Sequence, residues 1–244
     1  LYSRDGKNQG AWMDIVLERE DRGDSVQVPV AYLNCNFTEP KAGEDSQLLH
    51  GEVETIFHEF GHVLHHIFSR TKNPESAMTG VEWDAVECPS QVNENWAWEK
   101  SMLTSLSRHV KTHEQLPVQL MDKLIAAKHY LTGILLLRQI EFSLVDLKLH
   151  TEIISDPYEA LKEVRSEVRI TPTIPEDRFL SSFTHIFSGG YAAGYYSYLW
   201  AEVLASDLFE AFTETGDSFN KEVGARFLSS VLEVGSSRPF MDSY

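Results

Sequence analysis

Six side chains on one stretch are of the types that hold metals or move protons. They lie in Glu54-Thr-Ile-Phe-His58-Glu59-Phe-Gly-His62-Val-Leu-His65-His66. An α-helix turns once in 3.6 residues, so His58 and His62 stand one turn apart on one face and their imidazoles can converge on one ion. Glu59, one step round, reaches the open side of such an ion rather than the ion itself. That is the place for a general base acting on water. Glu54, His58, His62 and His65 fall near one line at spacings of four, four and three. Burying these groups unpaired would be costly, so they must satisfy one another or hold an ion. A ligating imidazole normally gives its other N–H to an acceptor, which assigns Glu54 and His65 to supporting the ligands rather than to ligation. A third protein ligand must come from elsewhere.

Two later stretches carry matching residue types. In Val81-Glu82-Trp83-Asp84-Ala85-Val86-Glu87-Cys88-Pro89-Ser90-Gln91, any of Glu82, Asp84 and Glu87 could complete a metal site, and spacing does not choose among them. Asp84 and Glu87 are one helical turn apart, so one carboxylate can bind while the other orients a ligand. Cys88 reads as a buried thiol. Further on, His185 precedes Gly189-Gly190 and then Tyr191, Tyr195 and Tyr198. The glycine pair permits backbone conformations closed to other residues and close approach of a ligand. The spacings of four and three predict the three tyrosines on one face of a helix that follows it. Such a stripe is most often plain core. Core favours Leu and Phe, however, and three phenol hydroxyls need partners, so at least one is expected to serve function.

The elements that must position these groups follow from pattern. Trp12 to Phe37 reads as β structure with a turn at Asp21-Arg22-Gly23-Asp24, and Pro29, which cannot donate to a ladder, pushes its strand to an edge. An edge upstream of the histidine helix offers a rail for an extended peptide, or else is covered by the protein itself. A polar linker over 39–47 leads to a helix from about Leu48, apolar over much of its circumference and therefore buried. Asn73 to Gly80 reads as a loop. One long or kinked helix is expected from Pro117 to about His150, and another from Asp156-Pro157, a cap and a first-turn proline, to about Val168. Thr171 to Asp177 is a loop; the helix that follows Gly189-Gly190 continues toward Gly216, and a last one runs from about Asn220 to Glu233 before Gly235.

Composition sets the outer bounds. The 244 residues, 42% hydrophobic and 24% charged, suffice for a sizeable core. A net charge of −16 argues against nucleic acid or an anionic membrane surface as the main partner. Cys35 and Cys88 make no disulfide framework, which favours a reducing, cytoplasmic setting, or an organelle matrix in a eukaryote. No apolar run approaches membrane-spanning length. The chain opens on Leu1 in what reads as mid-domain, the expectation for a piece of a longer protein.

Three of these motifs together, Thr55-Ile-Phe-His58-Glu59-Phe-Gly61-His62, then Glu82 through Gln91 with Glu94-Asn95-Trp96, then His185 through Trp200, resemble the thimet oligopeptidase family of zinc peptidases. The oligopeptidase A and dipeptidyl carboxypeptidase branch is most similar. The resemblance implies one Zn²⁺ per chain held by His58, His62 and Glu87, with Glu59 as general base. It implies that Tyr198 stabilises the transition state, and that Tyr191 and His185 contact substrate beside Gly189 and Gly190, with Tyr195 on the same face. The expected fold is mainly α with a small antiparallel β-sheet, a zincin-type domain that is incomplete. Residues 1–244 read as one partial catalytic domain, β-rich over 1–37 and helical over 48–244. Short peptides are the implied substrates, and the longer N-terminal half found in family members is expected to pack against this part. The competing reading is an inactive zinc-binding fragment or interaction module.

Overall fold

A computed structural model describes residues 1–244. Its β part is small. Strand β1 (Trp12–Leu17) and β2 (Glu20–Asp21) are followed by β3 (Val26–Gln27) and β4 (Val30–Asn34), which form two antiparallel pairs, β1 with β4 and β2 with β3. The strand expected to run through Pro29 is interrupted there, between β3 and β4, because proline brings no N–H to a ladder. The β1–β4 register pairs Trp12 with Asn34 and Met13 with Leu33, and shifts between Ile15 and Leu17.

The rest is helical: α1 (His50–Phe68), α2 (Trp83–Val86), α3 (Cys88–Glu94), α4 (Lys100–Leu106), α5 (Val118–Ala127), α6 (Thr132–Thr151), α7 (Pro157–Val168), α8 (Phe179–Ser182), α9 (Thr184–Phe187), α10 (Ser197–Thr213) and α11 (Lys221–Phe227). This is the mainly α architecture with a small antiparallel β component that the sequence implies. The long helix expected from Pro117 is two helices, divided where Leu131 adopts a left-handed φ of 61°. Lys128-His129-Tyr130-Leu131 contains no Gly or Pro, so nothing local marks the break. Asp156 caps α7 as expected, its carboxylate accepting Tyr158 N–H. Past α11 a π-helical turn spans Leu228–Leu232. No helix is long and apolar enough to cross a membrane.

The contacts divide the chain into two compact units, one of residues 1–122 with 201–244, the other of residues 123–200. In the first, Ala85, Cys88 and Val92 from the α2–α3 region bury against Ala201, Leu204 and Ala205 of α10 and against Val231, Leu232 and Phe240. Helix α1 approaches α3 so closely that Gly61 has no room for a side chain: a Cβ there would lie 2.5 Å from Ser90 Cα.

The second unit has two apolar clusters, one around Phe142, Phe183, Ile186 and Tyr195, the other around Val145, Leu161, Val164 and Leu180. An ion cluster joins α6 to α7. Glu141 is 1% exposed, and its two carboxylate oxygens accept from Arg165 Nε and Arg169 Nε, each at 2.8 Å. Arg165 also pairs with Asp177 at 2.6 Å. Glu141→Gln keeps the shape but turns an amide N–H₂ toward a guanidinium. It is expected to destabilise this unit by about 1–3 kcal/mol, read as a lowered urea midpoint; an unmoved midpoint would show that the cluster contributes nothing net.

Candidate active site

Two imidazoles and one carboxylate meet in the first unit. His58 Nε2 lies 3.2 Å and His62 Nε2 3.1 Å from the same oxygen, Glu87 Oε2, and the three donor atoms lie within 4.8 Å of one another. The i, i+4 spacing on α1 delivers the histidines. Glu87 comes from the joint between α2 and α3, where it ends one helix and begins the next. Ser90 steadies it, donating its hydroxyl to Glu87 O at 2.7 Å and to Glu87 Oε2 at 3.1 Å. Of the three acidic candidates, Glu87 is the one brought to the histidines. Glu82 instead accepts the Phe240 backbone N–H, and Asp84 stands partly exposed in α2.

The electrostatics are those of a closely compensated cluster. Burial alone would push the His58 imidazole down; hydrogen bonds to the Glu87 and Glu94 carboxylates outweigh it and raise it to about 10. Burial would raise Glu87, but His58 and His62 hold it well below the usual carboxylate range. Two imidazole nitrogens and a carboxylate oxygen are the donor types of a catalytic zinc site that keeps a position open. The Glu87 side chain is 1% exposed, and its Oε2 lies within 3.2 Å of both nitrogens. The residues therefore fit such an ion.

The partners around the trio differ from those that spacing suggests. His58 Nδ1 lies 2.5 Å from Glu94 Oε1, at the end of α3, so the acceptor that orients this imidazole is a residue 36 positions away. Glu54 accepts from Trp98 Nε1 at 2.6 Å. His65 is fully buried, and its pKa falls to about 3, mainly through desolvation, with His62 and His66 adding to the effect. Its Nδ1 makes no hydrogen bond. Glu59 is 6% exposed, and Met13 of β1 donates its backbone N–H to the carboxylate. Burial raises its pKa against the opposing pull of His58 and His62. In the sequence Glu94 stands in the Glu94-Asn95-Trp96 run that follows Glu87, but nothing there pairs it with His58.

The glycine–tyrosine stretch belongs to the second unit and is built by turns rather than by a helix. Helix α9 closes with Ser188 N–H and Gly189 N–H both donating to Thr184 O at 2.8 Å, and Tyr191 N–H donates to His185 O at 3.0 Å. Gly190 takes φ 87°, a conformation that favours glycine, and Ala193 takes φ 56°. Helix α10 starts only at Ser197, so the expected helical face over Tyr191 and Tyr195 is a turn. The rings still gather. Tyr191 and Tyr198 stack with centroids 5.2 Å apart, Tyr195 lies 5.1 Å from Tyr198, and His185 stands edge-on to all three at 5.6–6.1 Å.

The model of peptidase family M3 matches residues 1–244. Oligopeptidase A of Escherichia coli K12 is 48% identical over 250 residues, covering 100% of this chain and 37% of that protein. The probable cytosolic oligopeptidase A of Arabidopsis thaliana is 46% identical over 252 residues, 97% of this chain and 36% of that protein. Dipeptidyl carboxypeptidase of E. coli K12 is 36% identical over 242 residues, 97% of this chain and 35% of that protein. The chain thus spans just over a third of the length of these relatives. Among solved structures, PZ peptidase A with inhibitor 2 has the same fold, with a TM-score of 0.65 at 17% identity over 100% of this chain and 38% of that one.

Proposed function

This chain belongs to peptidase family M3, and from that premise we propose that the protein carrying it is a zinc-dependent oligopeptidase that hydrolyses peptide bonds in short peptides. The observation that carries the proposal is the convergence of His58 Nε2, His62 Nε2 and a buried Glu87 oxygen beside the Glu59 carboxylate. His58, His62 and Glu87 would hold one Zn²⁺. Bound there, zinc would supply Lewis acidity toward water and the scissile carbonyl.

The remaining chemistry falls to the chain's own groups. Glu59 takes a proton from the attacking water and returns it to the leaving amine, and the Met13 N–H keeps its carboxylate oriented meanwhile. Glu94, accepting from His58 Nδ1, fixes the tautomer whose Nε2 lone pair is available to the metal. Tyr198 is the proposed donor to the oxyanion, assisted by Tyr191, while His185, Gly189, Gly190 and Tyr195 contact the substrate. Relatives named for cytosol and for chloroplast or mitochondrion make a cytoplasmic or organelle-matrix setting part of the same proposal.

The test is to incubate the full-length protein with peptides of graded length, with and without a chelator, and read products by mass. Cleavage of the short peptides is expected, lost on chelation and restored by zinc. Cleavage that survives complete removal of the metal would overturn the proposal. Internal cuts against stepwise release of C-terminal dipeptides would separate the activities named in the two groups of relatives.

A further inference from the structure

One fully buried carboxylate of the second unit takes no part in the metal cluster or in the Glu141 ion cluster. Asp146, on α6, is 0% exposed. Its Oδ1 accepts the Ala193 backbone N–H at 2.9 Å and its Oδ2 the Tyr195 backbone N–H at 2.8 Å. His150 Nδ1, one turn along α6, lies 2.8 Å from Oδ1 and 2.9 Å from the Asp146 backbone oxygen. Both oxygens therefore clasp a turn 47 and 49 residues away, and a histidine braces the carboxylate from behind.

A fully buried carboxylate is expensive without partners, so those of Asp146 must matter to the fold of this turn. Ala193 sits at φ 56°, a left-handed conformation that is strained for an alanine and persists only where surroundings over-determine it. The two N–H bonds supply that constraint. The turn they hold links Tyr191 to Tyr198, whose rings stack at 5.2 Å, and places Tyr195 against both Tyr198 and His185. With only eight residues between the end of α9 and the start of α10, excluding Ser188, the path of this segment sets where the tyrosine hydroxyls stand.

We infer that Asp146, braced by His150, is a positioning residue of the peptidase reaction: it fixes the left-handed turn at Ala193 and through it the placement of Tyr198. The inference rests on the role proposed above for Tyr198. A carboxylate is needed because two N–H groups must be accepted at once. In Asp146→Asn one oxygen remains, and the amide N–H₂ faces the other donor.

The experiment is a double-mutant cycle in the full-length, zinc-loaded protein. Asp146→Asn is expected to lower kcat about tenfold or more, with KM nearly unchanged. In the Tyr198→Phe background the same substitution is expected to lower kcat no further. Glu141→Gln, which weakens the same unit elsewhere, is expected to leave kcat unaltered at temperatures where the protein stays folded. Equal losses in both backgrounds, or no loss in either, would overturn the role of Asp146. An unchanged kcat in Tyr198→Phe alone is a different result: it refutes the reading of Tyr198 and takes the inference with it. Hydrogen exchange on the unsubstituted protein covers the case in which Asp146→Asn does not fold. The Ala193 and Tyr195 amides are expected to exchange as slowly as those of α6, and exchange at open-loop rates would overturn the clasp.

Discussion

Replacing Glu59 by Gln in the full-length protein is expected to leave one zinc per chain and to lower kcat by roughly 10²–10⁴-fold. The substitution keeps the volume of a side chain that is only 6% exposed, and the amide oxygen can still accept the Met13 N–H. It removes only the ability to take a proton from water at neutral pH. The donor atoms of His58, His62 and Glu87 are untouched, and Glu94 still orients His58, so zinc affinity should change little. Metal content by atomic spectroscopy, measured beside single-turnover rates, reads both halves of the expectation. A fully metal-loaded variant within tenfold of the parent rate would sink the role of Glu59 as base. Loss of the metal would instead mean that Glu59 holds the ligands in place.

How much of this site is legible in the sequence depends on the distance over which each residue acts. The pair His58 and His62 is readable because a helix alone brings positions i and i+4 together. Glu87 is not separable by spacing from Glu82 and Asp84, because its reach depends on the joint between α2 and α3, where the chain ends one short helix and begins another without leaving the helical region. Only the family resemblance distinguishes it beforehand. The contacts that Glu94 makes with His58 and Asp146 with the tyrosine turn are invisible to any local pattern. Each carboxylate meets its partner across 36 to 49 residues, and such a contact exists only once helices have packed. The tyrosine stretch shows the opposite failure. Its spacing satisfies a helix, yet Ala193 in a left-handed conformation and a remote carboxylate fold it as a turn, and tertiary contacts override the local preference. The fold class was readable for the reason that α1 was: long apolar periodicity needs no partner to be seen.

Gly61→Ala is expected to destabilise the first unit by about 3 kcal/mol and to weaken zinc binding about 10–100-fold. A Cβ at Gly61 would stand 2.5 Å from Ser90 Cα, 2.9 Å from Pro89 O and 3.1 Å from Asn93 Cβ. The first two are backbone atoms and cannot rotate aside, so α1 and α3 must part. Intrinsic propensity runs the other way, since alanine is favoured over glycine inside a helix by about 1 kcal/mol, and any net loss therefore reports the steric term. The metal would sense it because the two sides of this contact carry different ligands. His58 and His62 ride on α1, while Glu87 opens α3 and is held by the hydroxyl of Ser90, the residue the new methyl meets first. Gly51→Ala on the same helix is the control. A Cβ there meets nothing within 4 Å, and that substitution is expected to be neutral or slightly stabilising. Urea midpoints and competition for zinc with a chromophoric chelator measure both variants. If Gly61→Ala matched Gly51→Ala in both, the close approach of α1 and α3 could not be what sets the distance between the histidines and Glu87.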